Sequence, residues 1–593
     1  MIRNKNLILI AGLIVIGFFV YAFNLSNPLF WDDDEWIKGN IFVHSFSYLK
    51  ELFTQNVEAG FGLSSNYYRP LLLLSFAFNY VLHGIAPFGY HLLSNGFHIA
   101  NGVLIFLLLN RFIGRRASFI ASILFLIHPA QTEAVAYISG RGDPLSVFFM
   151  LLALWFYVKS LHFDISKYQS IFRIASLVSM VLAILSRETA ILFPLFLMVF
   201  YISFLSKNGL LKSVKESFLK ALPFFSISVL YFILRLTVFN FKNTLNFFEQ
   251  PNAYSENLIY RLYTFSHALV EYFKIIFWPV GLHMERDLPV ATSLFQWPVW
   301  LGAIILVAVL LIIIGFYRLE IRNSKLEIEK QNFRILFFSG VWFFIALGPV
   351  SGIIPINAII YEHWLYLPLI GFAALAGFYI DKFLIFLKSK NLAIGYSLFA
   401  ISLITYFSFF AVQSIRRNVL WGKPIEFYED ILKYNPLSVR ILTNLGNLYS
   451  GKGDLAKAED LFKRAIESSD GGIFAQPYYN LGNIYRDVGQ IDKAIEQYKK
   501  AIEVDPTFPF AYQNLAEIYV NKKQDLYLGI SILEELKKIQ PGNPRVYYNL
   551  GLLYLATDNT DLAIDNLEIG FDLARGRDPE TEKAIIEILD RVK

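Results

Sequence analysis

Four acidic residues stand in a row, Asp32-Asp33-Asp34-Glu35, inside Phe30-Trp31-Asp32-Asp33-Asp34-Glu35-Trp36 and a few positions after an apolar stretch at residues 7–24. Like charges so close repel, and holding them at a bilayer edge costs desolvation. Carboxylates in this setting suit two kinds of chemistry. One of them acts as general base on an acceptor hydroxyl, while its neighbours orient it or raise its pKa. Alternatively several, Asp33 and Glu35 among them, hold a divalent cation such as magnesium or manganese through oxygen ligands. Spacing alone does not separate the two. The plainer role is a solvated loop or a helix N-terminus, where the helix dipole favours carboxylates.

Further polar groups interrupt the apolar blocks. Tyr67-Tyr68-Arg69-Pro70 comes first, and the planar fork of Arg69 matches phosphate oxygens as well as it suits an ordinary interfacial arginine. His91 and His98 are seven positions apart and share a helix face, where each is more simply a hydrogen-bonded helix residue than a ligand. His128-Pro129-Ala130-Gln131-Thr132-Glu133 and Ser139-Gly140-Arg141-Gly142-Asp143 follow. Polar groups this dense are costly in a membrane unless paired or lining a cavity. Arg187-Glu188 lies between two apolar stretches with almost no loop and reads first as an internal ion pair. Tyr361-Glu362-His363-Trp364 opens a late apolar stretch.

The elements that must position these groups are apolar helices. The chain has 593 residues, 55% hydrophobic, 17% aromatic and only 17% charged, against about 25% charged in soluble domains. Apolar stretches long enough to cross ~30 Å of hydrocarbon lie near 7–24, 90–112, 117–130, 145–159, 171–186, 188–206, 219–239, 299–317, 334–352, 363–382 and 391–412. Residues 71–83 and 262–280 are apolar too, and are expected as interfacial or re-entrant helices. Lys and Arg crowd the loops near 111–116, 159–173, 207–220, 318–334 and 382–390. By the positive-inside rule those loops and the N-terminus are cytoplasmic. The acidic run, the other polar clusters and everything after residue 412 then face the opposite side. The first stretch lacks a small-residue cleavage site and is expected as a retained span. There is no cysteine, which excludes disulfides, thiol nucleophiles and cysteine-zinc sites. A net charge of +5 is no nucleic-acid signature.

After Trp421-Gly422-Lys423-Pro424 the composition turns polar and a repeat begins. Asn444-Leu445-Gly446, Asn480-Leu481-Gly482, Asn514-Leu515-Ala516 and Asn549-Leu550-Gly551 recur at 34–36 residue intervals, with Tyr449, Tyr485, Tyr519 and Tyr554 three positions on. This is the tetratricopeptide pattern, about four repeats of paired helices with small residues where they cross. The expected architecture is all-α: a membrane helix bundle of about eleven spans at 1–412, a linker helix at 413–435, and an α-solenoid at 436–593 that binds a partner chain.

Taken together, Asp32-Asp33-Asp34-Glu35, Tyr68-Arg69-Pro70, Tyr90-His91, His128-Pro129, Thr132-Glu133-Ala134-Val135, Gly140-Arg141-Gly142-Asp143, Glu362-His363-Trp364-Leu365-Tyr366 and the repeats resemble the transmembrane and tetratricopeptide-repeat O-mannosyltransferase-like proteins of the GT-C glycosyltransferase superfamily. The likeness covers essentially the whole chain. The family pattern of paired aspartates and a following acidic residue falls on Asp32, Asp33 and Glu35, with Asp34 at a variable position. The resemblance implies an integral-membrane transferase. It would move mannose or a similar hexose from a polyprenyl-phosphate donor to a hydroxyl of a protein presented by the repeats, at the extracytoplasmic face of a bacterial inner membrane. It implies Asp33 as the favoured base, supported by Asp32, Asp34 and Glu35, and inversion in a single displacement. It implies Arg69, Arg141, Arg187 and His363 at the donor phosphate, with Tyr68, His91, His128, Glu133, Asp143, Glu188 and Glu362 completing the polar site. The rivals are a membrane-anchored interaction scaffold, for which eleven spans are superfluous, and a transporter or flippase of lipid-linked sugar. The latter calls for midplane charge and internal symmetry, whereas the only mid-span charge is Arg235.

Overall fold

The computed structural model describes residues 2–63, 65–161, 166–206, 208–241, 252–321, 327–356, 358–468, 474–575 and 578–592. The described residues are helical, without strands, and form two compact units, Met1–Pro424 and Ile425–Lys593. The basic residues Lys207, Arg322 and Lys325 lie outside the described residues.

Nine helices among the described residues are long and apolar enough to cross a bilayer, and a bent pair, Arg115–Ile127 with Pro129–Ala136, makes a tenth. Trp297–Ile321 is a further helix at an expected span. The expected span at 363–382 begins instead at Pro368, which occupies the first helical turn, where a missing N–H costs nothing. The last span runs from Ala393 to Trp421, so residues 413–421 continue the membrane unit rather than start a linker. Pro70–His83 is apolar but has only 14 residues, and Leu258–Phe277 carries Arg261, Glu271 and Lys274; the first lacks the length of a span and the second its composition.

The spans pack through small residues as well as large ones. A Cβ at Gly377 would lie 2.4 Å from the Ala117 carbonyl oxygen and 2.9 Å from Ala121 Cβ, so Gly377 is what lets Pro368–Ser389 approach Arg115–Ile127. Gly377→Leu is expected to lower the melting temperature of the purified chain, at an overpacking cost of about 1–3 kcal/mol. An unchanged melting curve would mean that the two helices slide apart freely. Three amides tie the first span to two others. Asn24 and Asn95 exchange hydrogen bonds of 3.1 and 2.8 Å, and Asn418 donates to the Val20 carbonyl at 3.0 Å.

After the first span the chain folds into a small cap rather than an open loop. Trp36, Ile37, Val43, Leu52 and Val57 bury against Leu72, Leu73 and Phe76 of Pro70–His83 and against Tyr90 and Ile138. Asn40 donates to the Val57 carbonyl at 2.8 Å and accepts from Phe42 N–H, closing the cap on itself.

The second unit is an array of paired antiparallel helices from Val439–Gly451 to Pro579–Val592. Gly482 faces the Tyr498 ring, 2.7 Å from where a Cβ would stand, as the repeat pattern requires of small residues at a crossing. Asn480 donates to Asn447 at 2.8 Å and Asn514 donates to Asn483 at 2.8 Å, so equivalent amides link neighbouring repeats.

Candidate active site

Trp31 has a left-handed backbone (φ +66°), uncommon for a residue with a bulky side chain and costly unless the surroundings enforce it. That turn swings the acidic run back over the bundle. The run then enters a wide helical turn, Asp34–Lys38. Adjacent residues of such a turn point in different directions, and the four carboxylates accordingly meet different environments. Asp33 is buried, Asp32 and Glu35 are half-buried, and Asp34 is exposed and pairs with Lys38 at 2.6 Å.

Asp33 holds the cap to the bundle. Its Oδ1 accepts from the Ser139 hydroxyl at 2.6 Å and from Ser139 N–H at 2.9 Å; its Oδ2 accepts from Phe30 N–H at 3.3 Å. Burial outweighs these donors and, with the charge of Asp32, lifts the carboxyl from 3.8 to about 7. The folded chain therefore binds this proton more tightly than the unfolded one between those two values. Stability is expected to fall as pH rises from about 4 to about 7 and to stay level above. Melting temperatures of wild type and Asp33→Asn, compared across that range, check it: the variant lacks this component. Parallel curves would remove Asp33 as its source.

Three further carboxylates sit at the ends of spans, each with a basic partner. Glu188 accepts from Arg69 Nε at 3.0 Å and from Tyr68 N–H at 3.3 Å, while the Arg69 guanidinium lies 4.5 Å from the Tyr67 ring. Asp143 pairs with Arg187, both side chains being only slightly exposed. Glu133 accepts from His363 twice, from the ring Nδ1–H at 2.5 Å and from its N–H at 3.2 Å. Burial pushes the His363 imidazole down to about 3, so it is neutral at pH 7 and offers no cation to a phosphate. The charges of Asp143, Arg187, Arg69 and Glu362 all act on this ring. The structure thus brings Arg69, Glu133, Asp143, Arg187, Glu188, Glu362 and His363 into one electrostatic neighbourhood.

Three predicted site residues do structural work instead. Arg141 is fully buried. It donates to Ser94 at 3.0 Å, to the Ser75 hydroxyl at 3.0 Å, to Asn79 at 2.8 Å and to the Tyr90 carbonyl at 2.9 Å, and it packs 4.9 Å from the Phe76 ring. Its donors are directed to neutral protein groups, not to an open face. His128 donates from Nε2 to the Ile276 carbonyl at 3.0 Å and accepts at Nδ1 from Ala130 N–H at 3.2 Å. With Pro129, it makes the 54° bend of the broken span. His91 donates to the Asn27 carbonyl at 3.0 Å and anchors the start of the cap. His98 likewise uses both ring nitrogens, on Tyr366 and Leu126.

Two arginines escaped the sequence reading. Glu362, fully buried, accepts from Arg286 at 2.9 Å, from His283 N–H at 2.7 Å and from Arg417 at 3.5 Å. Arg417 also donates to the Leu282 carbonyl at 2.6 Å. A signal existed: Arg416-Arg417 lies at the end of the last span opposite Lys388 and Lys390, where the charge rule expects few cations. As for a divalent cation, no three Asp, Glu or His side chains among the described residues converge at ligand spacing. Asp33, with three donors on its oxygens, does not fit that role.

Known proteins resemble the chain in two ways, through its repeats and along its length. Tetratricopeptide models match residues 439–470, 482–523 and 544–574, the first and last as "Tetratricopeptide repeat" and the middle as "TPR repeat". A Caenorhabditis elegans protein named as a protein O-mannosyl-transferase is 25% identical over 78% of this chain and 62% of its own length. Protein O-mannosyl-transferase Tmtc1 of Drosophila melanogaster is 30% identical over 48% of this chain and 35% of its own. Human protein O-mannosyl-transferase TMTC4 is 24% identical over 76% of this chain and 64% of its own. The chain thus spans less than two thirds of the length of these relatives. Among solved structures, MamA is 24% identical with a TM-score of 0.24, over 27% of this chain and 92% of that one. YrrB, titled a TPR protein with an unusual peptide-binding site, is 19% identical with a TM-score of 0.23, over 32% and 90%. By sequence and by its tetratricopeptide repeats, the chain is similar to TMTC-type proteins named protein O-mannosyl-transferases.

Proposed function

We propose that the chain is a glycosyltransferase of the membrane, moving a hexose such as mannose from a polyprenyl-phosphate donor to a hydroxyl of a protein acceptor. The names of its relatives support a transferase acting on protein. The carrying observation is the division of labour in the acidic run. Asp33 is buried under three protein donors, while its neighbour Asp32 is only half-buried and keeps part of its surface towards solvent. On that ground Asp32 rather than Asp33 is the general base, and Asp33 is the positioning residue that fixes the turn. The acceptor oxygen attacks the anomeric carbon and its proton passes to Asp32. The bond from that carbon to the phosphate oxygen breaks with its electron pair, so polyprenyl phosphate leaves and the anomeric centre inverts. The departing anion forms among the arginines at the same ends of the spans, where fixed cations act strongly in a poorly hydrated setting. Asp143 orients Arg187, and Glu188 orients Arg69.

The loop charges support a cytoplasmic N-terminus, with the acidic run and the repeats at the extracytoplasmic face, either periplasmic or lumenal. In this reading the repeats present the acceptor. The chain has no cysteine, so single cysteines introduced near either end report their side by impermeant thiol labelling. Labelling of both ends from the same side would overturn the orientation. The activity is tested by incubating the purified full chain with a panel of polyprenyl-phosphate hexoses and acceptor proteins, followed by mass spectrometry. A hexose gained by the acceptor, dependent on the lipid donor, is the expected result. Transfer from a soluble nucleotide sugar alone, or from no donor at all, would sink the proposal.

A further inference from the structure

Arg286 and Arg417 differ from the other arginines of this region. Arg69 and Arg187 each have a carboxylate to themselves, Glu188 and Asp143. Arg286 and Arg417 share Glu362. The other nearby carboxylate, Glu133, already accepts on both oxygens from His363. Neither Arg286 Nε–H nor Arg417 Nε–H, both shielded from solvent, has a hydrogen-bond partner among the described residues. Gln131 adds an independent observation. It is fully buried, and both its amide nitrogen and its amide oxygen are unpartnered among the described residues. Buried polar groups are almost always hydrogen-bonded, so several orphans in one region call for an occupant.

These groups belong to one region. The turn Pro129–Gln131 packs against both Glu362–Leu365 and the last span, Ala393–Trp421. Ser414, one helical turn before Arg417, donates to the Ile127 carbonyl at 2.7 Å and fixes that register. Arg286 reaches Glu362 from the loop after Leu258–Phe277. The edge of the region is only slightly open, with 14% of the Arg286 side chain exposed. The unpartnered set is three donor atoms and one acceptor, and two of the donors belong to guanidinium groups that keep a free N–H although Glu362 and Glu133 both lie within their field. The donor-rich character of that set matches a phosphate, whose oxygens take planar guanidinium donors well. Apolar or cationic ligands would leave the donors orphaned.

We infer that Arg286, Arg417 and the Gln131 amide N–H form the anion subsite that holds the phosphate of a lipid-linked sugar, with Gln131 Oε1 left to accept from a hydroxyl beside it. This rests on the donor class proposed above and identifies the residues that grip it. The subsite is tested by binding rather than turnover. The full chain in nanodiscs is titrated with polyprenyl phosphate without sugar, with the matching polyprenol, and with inorganic phosphate. Tight binding of the lipid phosphate alone is expected; equal competition by millimolar inorganic phosphate would instead assign the subsite to a soluble phosphate.

Arg286→Gln, at the open edge, is expected to weaken binding of polyprenyl phosphate at least about tenfold, the effect of one lost charge-assisted hydrogen bond, and to leave polyprenol binding unchanged. Gln131→Leu is expected to weaken it about tenfold or less by the same reasoning. Because Arg417 is deeply buried, Arg417→Lys, which keeps the charge, stands in for its removal and should give an intermediate loss. Wild-type phosphate binding by folded Arg286→Gln and Arg417→Lys would overturn the inference, and would leave ordered water as what satisfies these groups. The two proposals fail separately. Phosphate bound through these residues without sugar transfer refutes the activity, whereas transfer with unchanged donor KM in Arg286→Gln refutes the subsite.

Discussion

Asp32→Asn is expected to lower the proposed sugar transfer by a factor on the order of 10²–10⁴, while the chain folds and binds the proposed lipid donor as before. The size is that of losing a positioned proton acceptor in the transition state. The amide is nearly the same shape as the carboxylate, and Asp32 is half-exposed, so little packing is at stake. The loss should therefore fall on kcat, with donor KM preserved. Asp33→Asn is the informative partner. Its amide oxygen still accepts from Ser139, but its NH2 group now meets the Phe30 N–H that the carboxylate accepted. The cap loosens, and transfer is expected to fall less than in Asp32→Asn, with a lower melting temperature at acid pH. The comparison is made by steady-state rates and thermal unfolding on the same preparations. Full activity in Asp32→Asn together with complete loss in folded Asp33→Asn would hand the base to Asp33.

The second large effect is on folding. Arg141→Leu is expected to yield little monodisperse protein. The guanidinium satisfies groups on two helices: Ser75 and Asn79 in Pro70–His83, and Ser94 and the Tyr90 carbonyl in Pro87–Ile113, all from the turn before the next span. Deleting it orphans several buried acceptors at about 1–3 kcal/mol each. It also removes the cation beside the Phe76 ring. Arg141→Lys keeps the charge, but a single ammonium cannot reach all these partners, so it should recover only part of the yield. Size-exclusion profiles and melting temperatures decide it. A folded Arg141→Leu protein that merely fails to bind lipid phosphate would return Arg141 to the substrate.

Much of this architecture is legible in the chain. The repeats are legible because each Asn-Leu-Gly step is a local packing unit that recurs with the period of the helix pair. Most spans are legible because hydrocarbon selects apolar runs of fixed length. Boundaries were less so: the last span extends through Asn418 and Trp421, which an apolar window stops short of, yet Asn418 donates to Val20 of the first span and Trp421 stacks on Tyr137. The location of the acidic run was legible, but its internal division was not. Ser139, 106 positions away, occupies Asp33. No spacing rule connects the two.

The arginines make the same point. Sequence alone treats Arg69, Arg141 and Arg187 as equivalent basic residues among polar neighbours. The fold gives Arg69 and Arg187 a carboxylate each and gives Arg141 only neutral groups, which fixes it as a structural tie. It also brings Arg286 and Arg417, 76 and 55 positions from Glu362, onto one carboxylate. The sequence by itself determined the helical class, the membrane character, the repeat unit and where acidic and basic residues gather, because each depends on neighbours within a few turns of helix. Only the tertiary structure decided which charged groups are buried and what each of them pairs with, because a buried charge is defined by its partners, and those arrive from distant helices when the bundle closes.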